Sequence, residues 1–340
     1  MSNRFRICSM LAALGILTSL TFFAADSVAP GDPRITGPYV YENLSIFLIH
    51  SARNATTQKL MTLQEAMDQK KVAVYETGTV NELSIENQSA EDVYIQAGDI
   101  VKGGRQDRVL NTDFLLPAHS GKLPISSFCV EHGRWSKRGN EAADQFASSN
   151  AVVAGKSLKM AVVNDRDQVQ VWNQVAQARG DLAVVTAAGA RPAAPPSTSM
   201  QIAMENPAVI DATDAYIRNL SKVVEGQDDV VGYAYAINGK LNSADVYRSR
   251  ELFLKMWPKL LRASAVEALT ERPKAQASQK APEISVVQAM ISDAEKAAET
   301  SNQVNGGLTV VKRESRQALL FETRDKDLEG GWMHKSFVVK

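Results

Sequence analysis

Cysteine is almost absent: Cys8 and Cys129 are the only two in the 340-residue chain. Cys8 stands at the head of an uncharged run from Ile7 to Ala25, not at its end, where a lipoprotein signal carries its lipidated cysteine. With that run removed, Cys129 has no partner for an intramolecular disulfide. Stability must then come from the core alone, and burial is the plain expectation for the thiol. An excess of charge of either sign is also missing, with 38 basic and 38 acidic residues. General nucleic-acid binding, which needs a concentrated positive field, is therefore not expected.

Recognisable catalytic fingerprints are lacking too. There is no nucleophile elbow, Rossmann glycine pattern or zinc-protease helix, and Gly103-Gly104 lacks the lysine context of a phosphate-binding loop. The four histidines, His50, His119, His132 and His334, show no close zinc-ligand spacing. No internal repeat is visible. Neither a metal nor a cofactor is expected.

What is present begins with Arg4 and Arg6 ahead of the apolar run, the physical form of a secretory signal. The run is nearly long enough to span a bilayer, so residues 1–29 are a signal peptide or, alternatively, an N-terminal anchor. A periplasmic or secreted location follows, with membrane contact only if that segment is retained. A hydrophobic content of 44% supports a sizeable core.

The remaining chain divides by composition into a β-rich domain (30–186), a linker (187–207), an α/β extension packed on the first domain (208–269), a second linker (270–282), and a helix with terminal strands (283–340). Gly31 to Pro38 reads as a linker and Tyr39 to His50 as one strand. Thr62 with Glu65 forms a capping box. Leu158 to Val163 reads as a strand, and the small polar stretch Gly139 to Gly155 as an excursion. Asp165 to Arg179 has helical spacing with Trp172 as its anchor. Asn206-Pro207 opens a helix and Asn238-Gly239 makes a hairpin. Pro258 is expected to kink or split the helix that Ser249 caps, with a new segment starting at the Ser264–Glu267 capping box. Successive short strands with short turns favour antiparallel pairing. The fold class is α+β: an antiparallel β-sandwich or jelly-roll-like sheet, elaborated by C-terminal helices and a small terminal sheet. Whether the last three strand segments join the main sheet is left open.

The stretch from Val93 to Trp135 holds the densest mixture of Arg, Asp, His and Cys. Arg105 and Arg108 offer rigid forks for carboxylate or phosphate, and Gln106 adds an amide. Together with Trp135 they form the candidate ligand-binding set, and Asp107 is placed to hold one arginine. Cys129, Glu131, His132 and Asp113 form a candidate catalytic set, because a thiol near a base can be activated and paired carboxylates can divide acid and base roles. Cys129 and His132 point to opposite faces if the strand remains regular. The plain alternative for all of these is an internal network that closes turns and satisfies a sheet edge.

The run GDIVKGGRQDRVLNTDFLLPAHS followed by CVEHGRW resembles a family of bacterial proteins named for association with ADP-ribosylglycohydrolases and rhodanese-like phosphatases. The resemblance extends over roughly Tyr39 to Leu269. It implies a shared domain, and it transfers no activity, because the name records genomic company. The first expectation is an envelope-exposed ligand-binding or protein-interaction module recognising an anionic group, its partner a protein or small anionic ligand of the cell envelope. The alternatives are a hydrolase-like enzyme acting on an anionic substrate and a purely structural envelope subunit.

Overall fold

A computed structural model describes residues 33–51, 59–152, 155–187, 198–272, 280–303, 308–325 and 331–340. The expected signal or anchor segment 1–29, and residues 188–197 and 273–279 of the two expected linkers, lie outside the described residues. Pro33–Lys340 forms one compact unit.

In chain order, β1 (Arg34–Tyr41) and β2 (Leu44–His50) come first, followed by β3 (Met61–Thr62) and α1 (Leu63–Asp68). Then come β4 (Val72–Glu76), β5 (Glu82–Asn87), β6 (Val93–Ile95), β7 (Asp99–Gly103), β8 (Arg108–Leu110), β9 (Phe114–Leu116), β10 (Gly121–Cys129) and β11 (Phe146–Val152). A helical region follows: α2 (Lys156–Met160), a π-helical turn (Ala161–Asp165), α3 (Gln168–Ala187), α4 (Met200–Met204) and α5 (Pro207–Leu220). Strands β12 (Val230–Ile237) and β13 (Lys240–Tyr247), helices α6 (Arg250–Glu271) and α7 (Ile284–Lys296), and strands β14 (Glu299–Gln303), β15 (Leu308–Glu314), β16 (Ala318–Asp325) and β17 (Trp332–Val339) complete it.

The fold is mixed α/β with mostly antiparallel sheets. The largest has the order β1-β2-β12-β13-β17-β16-β15-β14, antiparallel throughout. The three terminal strand segments therefore enter this sheet, joined by β14. Successive side chains of a strand face opposite ways, and both faces are covered here. Leu44, Ile46 and Leu48 of β2 meet Phe253 and Trp257 of α6, while Phe47 and Ile49 share the opposite core with Val287, Met290 and Ile291 of α7. All of β12 is consequently buried.

A six-stranded sheet, β11-β7-β8-β10-β5-β4, and a three-stranded one, β3-β6-β9, hold the central stretch. Between β3 and β6 lies the one parallel pair among the described residues. The two sheets share a core of Leu83, Ile85, Val101, Ile95 and Leu116. The other face of the larger one packs Ile100, Val109 and Phe128 against Leu158, Val171 and Val266 of the helices.

Several expectations change. Arg34 to Pro38 belongs to β1, because its backbone pairs with β2 as far as Arg34–His50. Tyr39 to His50 is two strands separated by a tight turn at Glu42, which has a left-handed φ of 52°. Leu158 to Val163 is helical, since Leu158, Ala161 and Val162 pack together on the helix side of the core. The expected excursion contains β11, paired with β7. Helix α6 runs unbroken through Pro258, and Ser264 caps nothing: its hydroxyl donates back to the Leu260 carbonyl at 3.1 Å. The buried stripe Phe253, Met256, Trp257, Leu260 and Leu261 spans the proline and outweighs its missing donor.

Candidate functional site

Between β7 and β8 the chain turns through Gly103 (φ 114°) and Gly104 (φ 53°). A Cβ at Gly104 would collide with the Phe146 ring, so the turn needs glycine for close packing as well as for φ. This turn delivers Asp107, fully buried, to the centre of a network. Its carboxylate accepts from the Gly103 amide (2.9 Å), Ser199 Oγ (2.8 Å) and both terminal nitrogens of Arg138 (2.9 and 3.2 Å), with Arg134 at 3.4 Å. Arg134 Nε also donates to Glu131 at 2.6 Å. Asp107 thus engages Arg134 and Arg138, not Arg105 or Arg108. Burial disfavours the charge on Arg138, but Asp107 and Glu141 outweigh it and raise the pKa.

Arg108 is sealed inside. One terminal nitrogen donates to the Val80 carbonyl (3.0 Å) and contacts Cys129 Sγ; the other lies 3.4 Å from both oxygens of Glu76. Burial pushes the Cys129 thiol up to about 11 against the opposing pull of Arg108, so the thiol is protonated at neutral pH. Gln168, at the start of α3, brackets the Cys129 backbone with two hydrogen bonds of 2.9 Å. Gln106 is buried as well.

Three other candidate residues of the stretch, Arg105, His132 and Trp135, reach the surface. Trp135 is 44% exposed, with the guanidinium of Arg105 at 5.4 Å and that of Arg108 at 5.5 Å from its ring centroid. Arg105 is exposed, its amide donates to Glu76 (3.2 Å), and its guanidinium makes no ion pair among the described residues. His132 is exposed and meets Trp172 edge-on at 4.6 Å. Both line a cavity of about 440 Å³ together with Val169, Ala176, Arg179 and Thr198. Trp172 is therefore half-buried at a surface cavity, and its helix is anchored by Val171 and Val175 instead.

Asp113 lies elsewhere. It accepts from the Ala97 amide at 2.5 Å and pairs with His334 Nδ1 at 2.8 Å. The other His334 nitrogen is 3.0 Å from Asp245, which also receives Lys159 at 2.9 Å. Tyr247 stacks on the imidazole at 4.6 Å and donates to Gln96 at 2.6 Å. Burial alone would lower the His334 pKa, but the two carboxylates raise it to about 9. Burial opposes ionisation of Asp245, yet Lys159 and His334 hold its pKa far below the usual carboxylate range.

The two arginines and Trp135 are thus brought together, with Cys129 beside Arg108. Glu131 serves the Asp107 network, His132 faces Trp172, and Asp113 faces His334. Among the described residues, no group of three or more His, Cys, Asp or Glu side chains is placed to hold a metal ion.

The two sequence runs that carry the motif, through Gly103–Arg108 and Cys129–Trp135, are joined in this network, and a family profile spans them. The profile is ARPP-1, the ARG and Rhodanese-Phosphatase-superfamily-associated Protein domain, and it matches residues 32–338. The chain belongs to this family. The ARPP-1 match runs well beyond Leu269, in keeping with the entry of β14 to β17 into the same sheet as β1 and β2. No curated protein and no solved structure matches the chain. In this ARPP-1 domain the residues missed by sequence reasoning are Glu76, Arg134, Arg138, Lys159, Asp245 and His334. Arg134 stood in the motif run and Arg138 three residues beyond it, a usable signal; the others come from distant segments and carried none.

Proposed function

We propose that the protein is an envelope-exposed ligand-binding or protein-interaction module that recognises an anionic group on the Arg105–Trp135 face. The observation that supports it is the exposed guanidinium of Arg105, laid over an exposed indole and left without an internal ion pair among the described residues. Such a pair offers flat apolar contact and a charged fork at once, the side-chain types that dominate recognition surfaces. The His132–Trp172 cavity is reached three positions before Trp135 in the chain. The location in the envelope rests on Arg4, Arg6 and the apolar run that follows them. Among the described residues no helix is long and apolar enough to cross a membrane. A sandwich description of the β-rich part has the shared core of the six- and three-stranded sheets as its support.

Peptides selected on the full-length protein from a random displayed library test the reading. Acidic sequences should be enriched, and their affinity should drop about tenfold or more in Arg105→Ala and Trp135→Ala at unchanged thermal midpoint. Selected binders that lack acidic residues, or that tolerate both changes, would remove this function from consideration.

A further inference from the structure

A narrow crevice lies beside the His334 cluster, between α2 with its π-helical turn and the strands β16 and β17. Its lining combines Lys159, Arg166, His334, Asp113, Glu322 and Ser336. Most of these charges cancel internally. His334 lies between Asp113 and Asp245, Lys159 is on Asp245, and Arg324 holds Glu322 at 2.5 Å. Arg166 is left over: it is exposed and makes no ion pair among the described residues. It follows the π-helical turn in a left-handed conformation (φ 51°, ψ 40°). Side chains larger than glycine adopt that region rarely, and both features concentrate at binding sites.

Ser336 also lines the crevice, only 5% exposed, and its Oγ has no hydrogen-bond partner among the described residues. An unmet hydroxyl in such a place costs about 1–3 kcal/mol unless something completes it. The space in the crevice is about 20 Å³, above the roughly 10–15 Å³ that one water-sized group requires. One spare exposed cation and one spare buried hydroxyl on the same lining define what fits.

We propose that this crevice binds a small oxyanion, either free phosphate or the carboxylate of a small solute, which inserts one oxygen against Ser336 and meets Arg166 with the others. His334, with both ring nitrogens engaged by carboxylates, is a wall of this site; it neither donates to the ligand nor exchanges a proton with it. The site is separate from the Arg105–Trp135 face, and either can stand without the other.

The full-length protein carrying isotope-labelled histidine provides the test, with His334 as the reporter by NMR. Inorganic phosphate is titrated in one arm and acetate in the other. A saturable shift of the His334 signal is expected with at least one of them, and the arm that saturates names the oxyanion class. Arg166→Gln and Ser336→Ala should each weaken that binding about tenfold or more, the loss of a charge-assisted or buried hydrogen bond, while the unfolding midpoint in the absence of anion stays in place for Arg166→Gln and does not fall for Ser336→Ala. No saturable shift in either arm at millimolar concentrations, or equal affinity in both variants, overturns the proposal.

Discussion

Asp107 accepts hydrogen bonds from a backbone amide, a serine and two arginines while wholly removed from water. An uncompensated buried charge is far more costly than a paired one. Asp107→Ala removes the carboxylate that Arg134 and Arg138 share, leaving them Glu131 and Glu141, and urea unfolding should show a loss on the order of 3 kcal/mol. Cys129 makes the opposite kind of prediction. Its thiol is buried, with a pKa near 11, so the native protein should resist a colorimetric disulfide reagent at neutral pH and react fully once denatured. Rapid labelling of the native form would mean that β10 opens. At this scale the sequence was informative about composition and silent about pairing. The clustering of Arg and Asp near Gly103-Gly104 was visible, but the carboxylate that Arg108 meets is Glu76, on another strand. Buried and exposed arginines look alike in a sequence; Arg105 and Arg108 stand three positions apart and have opposite fates.

Local elements were legible wherever a few neighbouring residues decide the outcome. Thr62 and Glu65 form the reciprocal capping box, Asn206 caps α5 with Pro207 behind it, and Asn238-Gly239 (φ 51° and 73°) closes the β12–β13 hairpin. The failures are elements decided by distant packing. Helix α6 survives its proline because both halves are buried together, and Leu158 to Val163 is too short for its apolar pattern to distinguish strand from helix. Strand β17 owes part of its hold to His334. The folded pKa of about 9 lies above the ordinary 6.5, so the imidazolium stabilises the fold fully below about pH 6.5 and that contribution is lost as pH climbs through 9. Urea midpoints should therefore fall across this window, and His334→Gln should flatten the dependence while lowering stability at neutral pH. An unchanged slope in that variant would show that another group is responsible.

At the level of the whole molecule, the succession of short strands and short turns predicted a mixed fold with antiparallel strands, and it could not predict which strands become neighbours. Pairing of β2 with β12 and of β13 with β17 depends on contacts between far-separated segments, for which one sequence holds no local signal. Because β1, β2 and β17 serve one sheet, residues Pro33–Lys340 should unfold in a single step. Far-ultraviolet dichroism and tryptophan emission, recorded against urea, should give coincident transitions. Ending the chain after Glu271 should abolish the native transition, since it uncovers the β13 edge and strips Asp113 and Asp245 of His334. The sheet order also governs when folding can happen. Its middle strands cannot acquire their final neighbours until the last segment has left the ribosome, which makes closure late and slow. For the exported precursor proposed above, that delay is useful: a thread that cannot close early remains fit for passage through a narrow translocation channel.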